Sequence, residues 1–315
     1  MYEVTTPFVE GMLDVGEGHS MHYEVAGNPG GRPALILHGG PGSGSSPNTR
    51  RMFDPAAYRI VQFDQRNCGK SRPSAANPIV DLSTNTTQHL IADIERLRAH
   101  LDIDRWLVWG GSWGTTLGLA YAEAHPEVVT ELMLASVVTT SAAEVEWITR
   151  TMRKIFPERW RDFIEPLPSD DRKGNLALAY NRLLMNPDPA IHAPAALAWC
   201  DWEDVHVSIA TGYQPFLRDS PPEFRLTFAR LVTHYWGNAG FLEDGQLLRD
   251  AEHLHGIPVF MTHGRRDISG PVDIAFALAE AIPGADLFVV EEAGHGGHGM
   301  IDRTIAVTDQ LKQVS

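Results

Sequence analysis

Short apolar runs bounded by glycine, proline or charge recur through the first part of the chain: Ala34 to Leu37, Tyr58 to Phe63, Trp106 to Trp109 and Leu132 to Leu134. Short runs of this kind read as buried strands. Between the last two lies TTLGLAYAEA, Thr115 to Ala124, whose small and apolar residues suit a helix packed on a sheet and ended by His125-Pro126. A helix-like DIERLRAHL precedes the strand at Trp106, so strands and helices alternate as a parallel α/β sheet requires.

The pattern changes from about Ser141 to Asp250. Helical segments rich in Trp and Arg, punctuated by prolines from Pro157 to Pro221-Pro222, show no strand alternation. Strand patterns return at Ile257 to Met261 and Leu287 to Val290, with the helix-like DIAFALAEAI between them. The last strands need a sheet to join. The expected organisation is therefore an α/β core, mostly parallel and flanked by helices, formed by residues 1–140 and 251–315 and interrupted by a helical insertion over 141–250. No internal repeat is visible.

Composition changes this picture little but excludes several functions. The 315 residues are 43% hydrophobic and 21% charged, ordinary values for a soluble globular chain. Forty acids against 26 bases give a net charge of −14, which repels nucleic acid and anionic lipid. No stretch approaches the roughly 18 apolar residues of a membrane span, and the first residues show neither a basic leader nor an apolar targeting run. A cytoplasmic location is expected. Two cysteines, Cys68 and Cys200, argue against a disulfide framework and read as reduced thiols, although one bridge is possible on the count alone.

The chemistry concentrates at Trp109-Gly110-Gly111-Ser112-Trp113-Gly114, a G-x-S-x-G placed where a strand ends and a small-residue helix begins. A sharp strand-to-helix turn exposes the serine hydroxyl above the sheet, and the flanking glycines keep side chains out of the close approach. A serine hydroxyl needs a base, and the base needs an acid to hold its tautomer. Both follow in the chain order expected for such a turn. Asp267 comes just after the strand-like PVFMTHG, and His295 just after LFVVEE, on the carboxyl edge that carries Ser112. The rival for Asp267 is a loop acid paired with Arg265 or Arg266; the rival for His295 is His298. His38-Gly39-Gly40-Pro41-Gly42 follows the strand ALIL, where a second oxyanion donor belongs, so Gly40 N–H and Trp113 N–H are the expected donors. A phosphate loop is the alternative for these glycines, but the lysine and serine of such a loop are absent. His295/His298 and His253/His255 lack cysteine or carboxylate partners at a metal-binding spacing, so no metal is expected.

With HGGPG, FDQRNCG, GGSWG, HGRRD and AGH in this order, the chain resembles the proline iminopeptidase (prolyl aminopeptidase) family of α/β hydrolases over nearly its full length. The resemblance implies a helical cap over the site, no cofactor, and release of N-terminal proline from small peptides with a free amino terminus. The family's W-x-x-W-E appears as Trp199-Cys200-Asp201-Trp202-Glu203, which implies that Glu203 binds the substrate amine. The rival for Glu203 is an exposed helix acid, and Trp199 and Trp202 also suit packing between cap helices.

Three positions depart from the family pattern. Val232 stands where many members have a second amine-binding glutamate, Val138 where an aromatic residue is usual, and Gly270 where an apolar residue or cysteine is usual. A rebuilt proline pocket, a wider pocket for other small first residues, and an esterase or amidase on a small acyl group all remain compatible with these changes.

Overall fold

The computed structural model describes residues 1–209 and 214–312. Among these residues eight strands form one sheet: β1 (Val9–Gly16), β2 (His19–Gly27), β3 (Arg32–Leu37), β4 (Tyr58–Phe63), β5 (Trp106–Gly111), β6 (Val129–Ala135), β7 (Val259–Gly264) and β8 (Asp286–Val290). Their order is β1-β2-β4-β3-β5-β6-β7-β8. From β4 to β8 every neighbouring pair is parallel, while β1–β2 and β2–β4 are antiparallel. The central strands are buried on both faces. Leu35, Val61, Val108 and Leu132 pack on one side, and Ala34, Ile60, Leu107 and Met133 on the other.

Helices of eight residues or more are numbered here: α1 (Thr87–His100), α2 (Trp113–Ala124), α3 (Ala142–Thr149), α4 (Pro157–Ile164), α5 (Leu176–Leu184), α6 (Pro189–Val207), α7 (Pro222–Gly237), α8 (Asp273–Ala281) and α9 (His298–Leu311). The sheet-packed helix α2 begins two residues before the sequence pattern suggested, because Trp113 and Gly114 already form its first turn. No helix among the described residues is long and apolar enough to cross a membrane. Cys68 and Cys200 are both buried free thiols.

Helices α3 to α7 all lie between β6 and β7 in the chain and gather a hydrophobic cluster of their own. Its centre is aromatic. The Phe163 ring lies 5.1 Å from Trp202, stacked, and 5.6 Å from Trp199, while Tyr180 stands edge-on to Trp199 at 5.2 Å. Offset and edge-on contacts of this kind add to simple area burial. The cluster runs from Val145 to Val232, whereas Tyr235 and Leu247 already pack into the core under the sheet.

Candidate active site

The nucleophile turn is built by close approach. A Cβ at Gly114 would lie 2.3 Å from the Leu37 carbonyl oxygen, so only glycine lets α2 start against the neighbouring strand end. Ser112 sits at the turn with φ 55° and ψ −125°, a strained conformation for a non-glycine residue that costs on the order of 1–3 kcal/mol. Its N–H donates to Ala135 O at 2.9 Å and its carbonyl accepts from Thr115 N–H at 2.7 Å. The strain is thus held from both sides, and the hydroxyl faces the carboxyl edge of the sheet.

The loops after β7 and β8 bring Asp267 and His295 to that hydroxyl. His295 Nε2 lies 2.9 Å from Ser112 Oγ, and His295 Nδ1 lies 2.8 Å from Asp267 Oδ2. The other Asp267 oxygen accepts from the N–H groups of Ser269 (3.0 Å) and Gly270 (3.1 Å), which fixes the carboxylate plane. Burial opposes charge on Asp267, but the imidazole and these donors more than offset it and hold its carboxyl below the ordinary range. Burial likewise works against an imidazolium at His295, yet the Asp267 carboxylate outweighs it, with a smaller contribution from Glu203, and raises His295 as a base. The rival pairings are used otherwise. Arg265 pairs with Glu291 at 3.1 Å and Arg266 with Glu292, while His298 opens helix α9.

Gly40 and Trp113 line the same cavity as Ser112. Gly40 has φ +112°, and a Cβ there would meet Gly42 N at 2.6 Å, so this loop conformation belongs to glycine. Trp113 is the first residue of α2, where a backbone N–H has no partner within the helix. The sequence did not show what anchors the Gly40 loop and Trp113. Gln65, in the DQR segment after β4, gives its backbone N–H to His38 Nε2 (3.1 Å) and its side-chain amide to His38 O (3.0 Å), and accepts from Trp113 Nε1 (2.9 Å). One buried amide therefore ties the HGGPG loop to the nucleophile helix. The signal available was its position: a polar triplet directly following a buried strand at the carboxyl edge.

Above Ser112 lies a cavity of about 170 Å³. Val138, Val145, Ile148 and Phe228 give it an apolar wall. Two acids reach it. Glu144 forms a capping box with Ser141 and also accepts from the Thr139 N–H and hydroxyl. Glu203, on α6, is not an exposed helix acid: it is 6% exposed and, among the described residues, receives one hydrogen bond, from Trp199 Nε1 at 3.2 Å. Burial pushes its carboxyl up to about 8, only partly countered by His295 and Trp199. Of the three departing positions, Val232 packs inside the insertion's core, and Val138 and Gly270 meet each other. A Cβ at Gly270 would lie 2.8 Å from Val138 Cγ1.

Elsewhere, Glu10, His22 and Glu24 bring ligand-type atoms within 4.8 Å of one another, but Lys70 already bridges the two glutamates at 2.8 and 3.3 Å.

Comparison with known proteins fits this geometry. The α/β hydrolase fold family profile matches residues 33–299. A Streptomyces coelicolor protein named "Probable proline iminopeptidase" is 51% identical over 98% of this chain and 97% of its own. A proline iminopeptidase of Xylella fastidiosa (strain Temecula1) is 42% identical over 99% of both chains. The crystal structure of a proline iminopeptidase from Mycobacterium smegmatis superposes with a TM-score of 0.65 at 19% identity, covering 97% of this chain and 99% of that one, which shows the shared fold. With its sheet order, nucleophile turn and full-length relatives in agreement, this chain belongs to the proline iminopeptidase family of α/β hydrolases.

Proposed function

We propose that the protein is a serine aminopeptidase that releases N-terminal proline from small peptides, with Ser112, His295 and Asp267 as its catalytic triad. The observation that carries this reading is Glu203: a carboxylate buried in a largely apolar cavity beside the triad, with a single neutral hydrogen bond among the described residues. A buried acid so poorly satisfied is costly unless a cation joins it. The ammonium of a substrate's first residue is that cation. Anchored there, the substrate presents only its first peptide carbonyl to Ser112.

Ser112 Oγ attacks that carbonyl while His295 Nε2 takes its proton; Asp267 holds the Nδ1–H tautomer and stabilises the imidazolium. The N–H groups of Gly40 and Trp113 receive the developing oxyanion. His295 then protonates the leaving amine, which departs as the shortened peptide, and the prolyl group remains esterified to Ser112. Water, deprotonated by His295, hydrolyses the ester and releases free proline. No cofactor takes part in this scheme. Residues 141–250 act as the cap that closes the acyl site, a role supported by the separate aromatic cluster and by the position of Glu203 in it. The setting we propose is the cytoplasm, supported by two buried unpaired thiols.

A panel of aminoacyl arylamides tests the substrate. Proline arylamide is expected to lead in kcat/KM, followed by other small first residues; turnover of simple acyl arylamides above proline arylamide would replace this reading with an esterase or amidase.

A further inference from the structure

The amine subsite contains a second acceptor that no family motif marks. His206, one turn beyond Glu203 on α6, is 1% exposed and lines the cavity above Ser112. Its Nδ1 lies 2.8 Å from Ser269 Oγ, in the loop that also carries Asp267. Among the described residues its Nε2 has no hydrogen-bond partner, and the nearest acid atom is Glu203 Oε2 at 3.6 Å. A buried, unpartnered ring nitrogen beside an almost unpartnered carboxylate calls for an explanation, since unmade buried hydrogen bonds are costly and rare.

We propose that His206 Nε2 is the second ligand of the substrate's amino group, acting with Glu203 in place of the acid missing at Val232. This rests on the prolyl aminopeptidase reading and names how that site recognises its substrate. In this assignment Nδ1–H donates to Ser269 Oγ, and Nε2 is left as a bare acceptor. Burial depresses the imidazole to about 3, so it stays neutral and does not repel an ammonium. Glu203 Oε2 and His206 Nε2 are close enough for one nitrogen to reach both at hydrogen-bond distance.

The count of donors gives the pair its selectivity. A prolyl ammonium is secondary and carries two N–H bonds, one for each acceptor. The ammonium of any other first residue carries three, and its third would face the apolar wall of Val145, Ile148 and Phe228. Glu144 is the less available acceptor: its Oε2 already takes bonds from Thr139 and Ser141, and its Oε1 takes the Thr139 N–H. Val232 cannot contribute: it is fully buried among the cap's aromatic and aliphatic side chains.

The test compares wild type with His206→Phe, which keeps a ring but no acceptor, and His206→Gln, which restores an acceptor near the Nε2 position. Substrates are proline arylamide, alanine arylamide and an aryl ester without an amine. His206→Phe should lower kcat/KM for proline arylamide at least about 10-fold, mainly through KM, and reduce the proline-to-alanine ratio. The ester should fall far less, by no more than about 3-fold, and His206→Gln should recover a substantial part of the loss on proline arylamide. Equal losses on ester and arylamide, or an unchanged proline arylamide rate, would overturn the assignment. The wild-type enzyme supplies a second measurement free of folding effects. N-methylproline arylamide keeps the charge but has one N–H, and it should turn over at least about 10-fold more slowly than proline arylamide; equal rates would also overturn it. If wild type instead hydrolyses N-acetylproline arylamide as well as proline arylamide, the aminopeptidase reading itself has failed.

Discussion

Replacing Glu203 by Gln removes one negative charge while keeping the side chain's shape, which isolates electrostatic recognition of the substrate amine from packing. The wild-type carboxylate is buried, sits next to the triad, and has only the Trp199 Nε1 hydrogen bond to satisfy it. A bound ammonium would therefore lose its nearest counter-charge on substitution, in a cavity whose other acid, Glu144, is engaged by Thr139 and Ser141. Removing one partner of such a desolvated pair costs about 2–4 kcal/mol, which corresponds to roughly 30- to 1000-fold in kcat/KM. The assay compares proline arylamide with an aryl ester lacking an amine, at about pH 8.5, where Glu203 is mostly ionised in wild type. Glu203 also acts weakly on His295, so the ester rate should change by no more than about 3-fold. Equal losses on both substrates would show that Glu203 supports the cap alone and would refute the electrostatic argument.

Other outcomes follow from the same geometry. Ser112→Ala should reduce turnover of every substrate at least about 10³-fold while leaving the thermal unfolding midpoint intact or higher, since the strained turn stays and only an exposed hydroxyl is lost; a near-normal rate would exclude Ser112 as nucleophile. Glu203 binds a proton in the folded state up to about pH 8 against an ordinary value of 4.5, so wild type loses stability as pH rises through that window. Denaturant titrations should show Glu203→Gln gaining on wild type from pH 5 to 8, by at most about 5 kcal/mol, and levelling off above. Gly270→Ala should cost about 1–3 kcal/mol through its collision with Val138 Cγ1, and Val138→Ala in the same chain should recover most of it, giving a non-additive cycle by denaturant unfolding.

How much of this was legible in the sequence depended on whether the determinant was local. Strand β4 coincides with the run Tyr58 to Phe63, because a strand covered on both faces is mostly apolar; its two polar residues, Arg59 and Gln62, did not mask the pattern. Strands β1 and β2 were not read as strands. In β1 the outward Glu10, Met12 and Asp14 alternate with Gly11 and Leu13, and only the hairpin pairing to β2 makes that pattern a strand. The elbow around Ser112 and the strand-end loops carrying Asp267 and His295 were visible, since each is defined by residues adjacent in the chain. What joins distant segments was not visible: Gln65 linking His38 to Trp113, the mutual exclusion of Val138 and a side chain at Gly270, and His206 beside Glu203. His206 is one turn from Glu203, yet the W-x-x-W-E pattern stops before it, and its chemistry emerges only when Ser269 and the cavity are in place.

The central claim is tested most directly by following a short peptide with proline both first and internal, and its N-acetylated form, by mass spectrometry with wild type and Ser112→Ala. The account predicts that wild type releases free proline in step with the peptide shortened by one residue. The acetylated peptide should remain intact, and Ser112→Ala should release nothing from either. Cleavage at the internal proline, release of acetylproline at a comparable rate, or proline release by Ser112→Ala would contradict it.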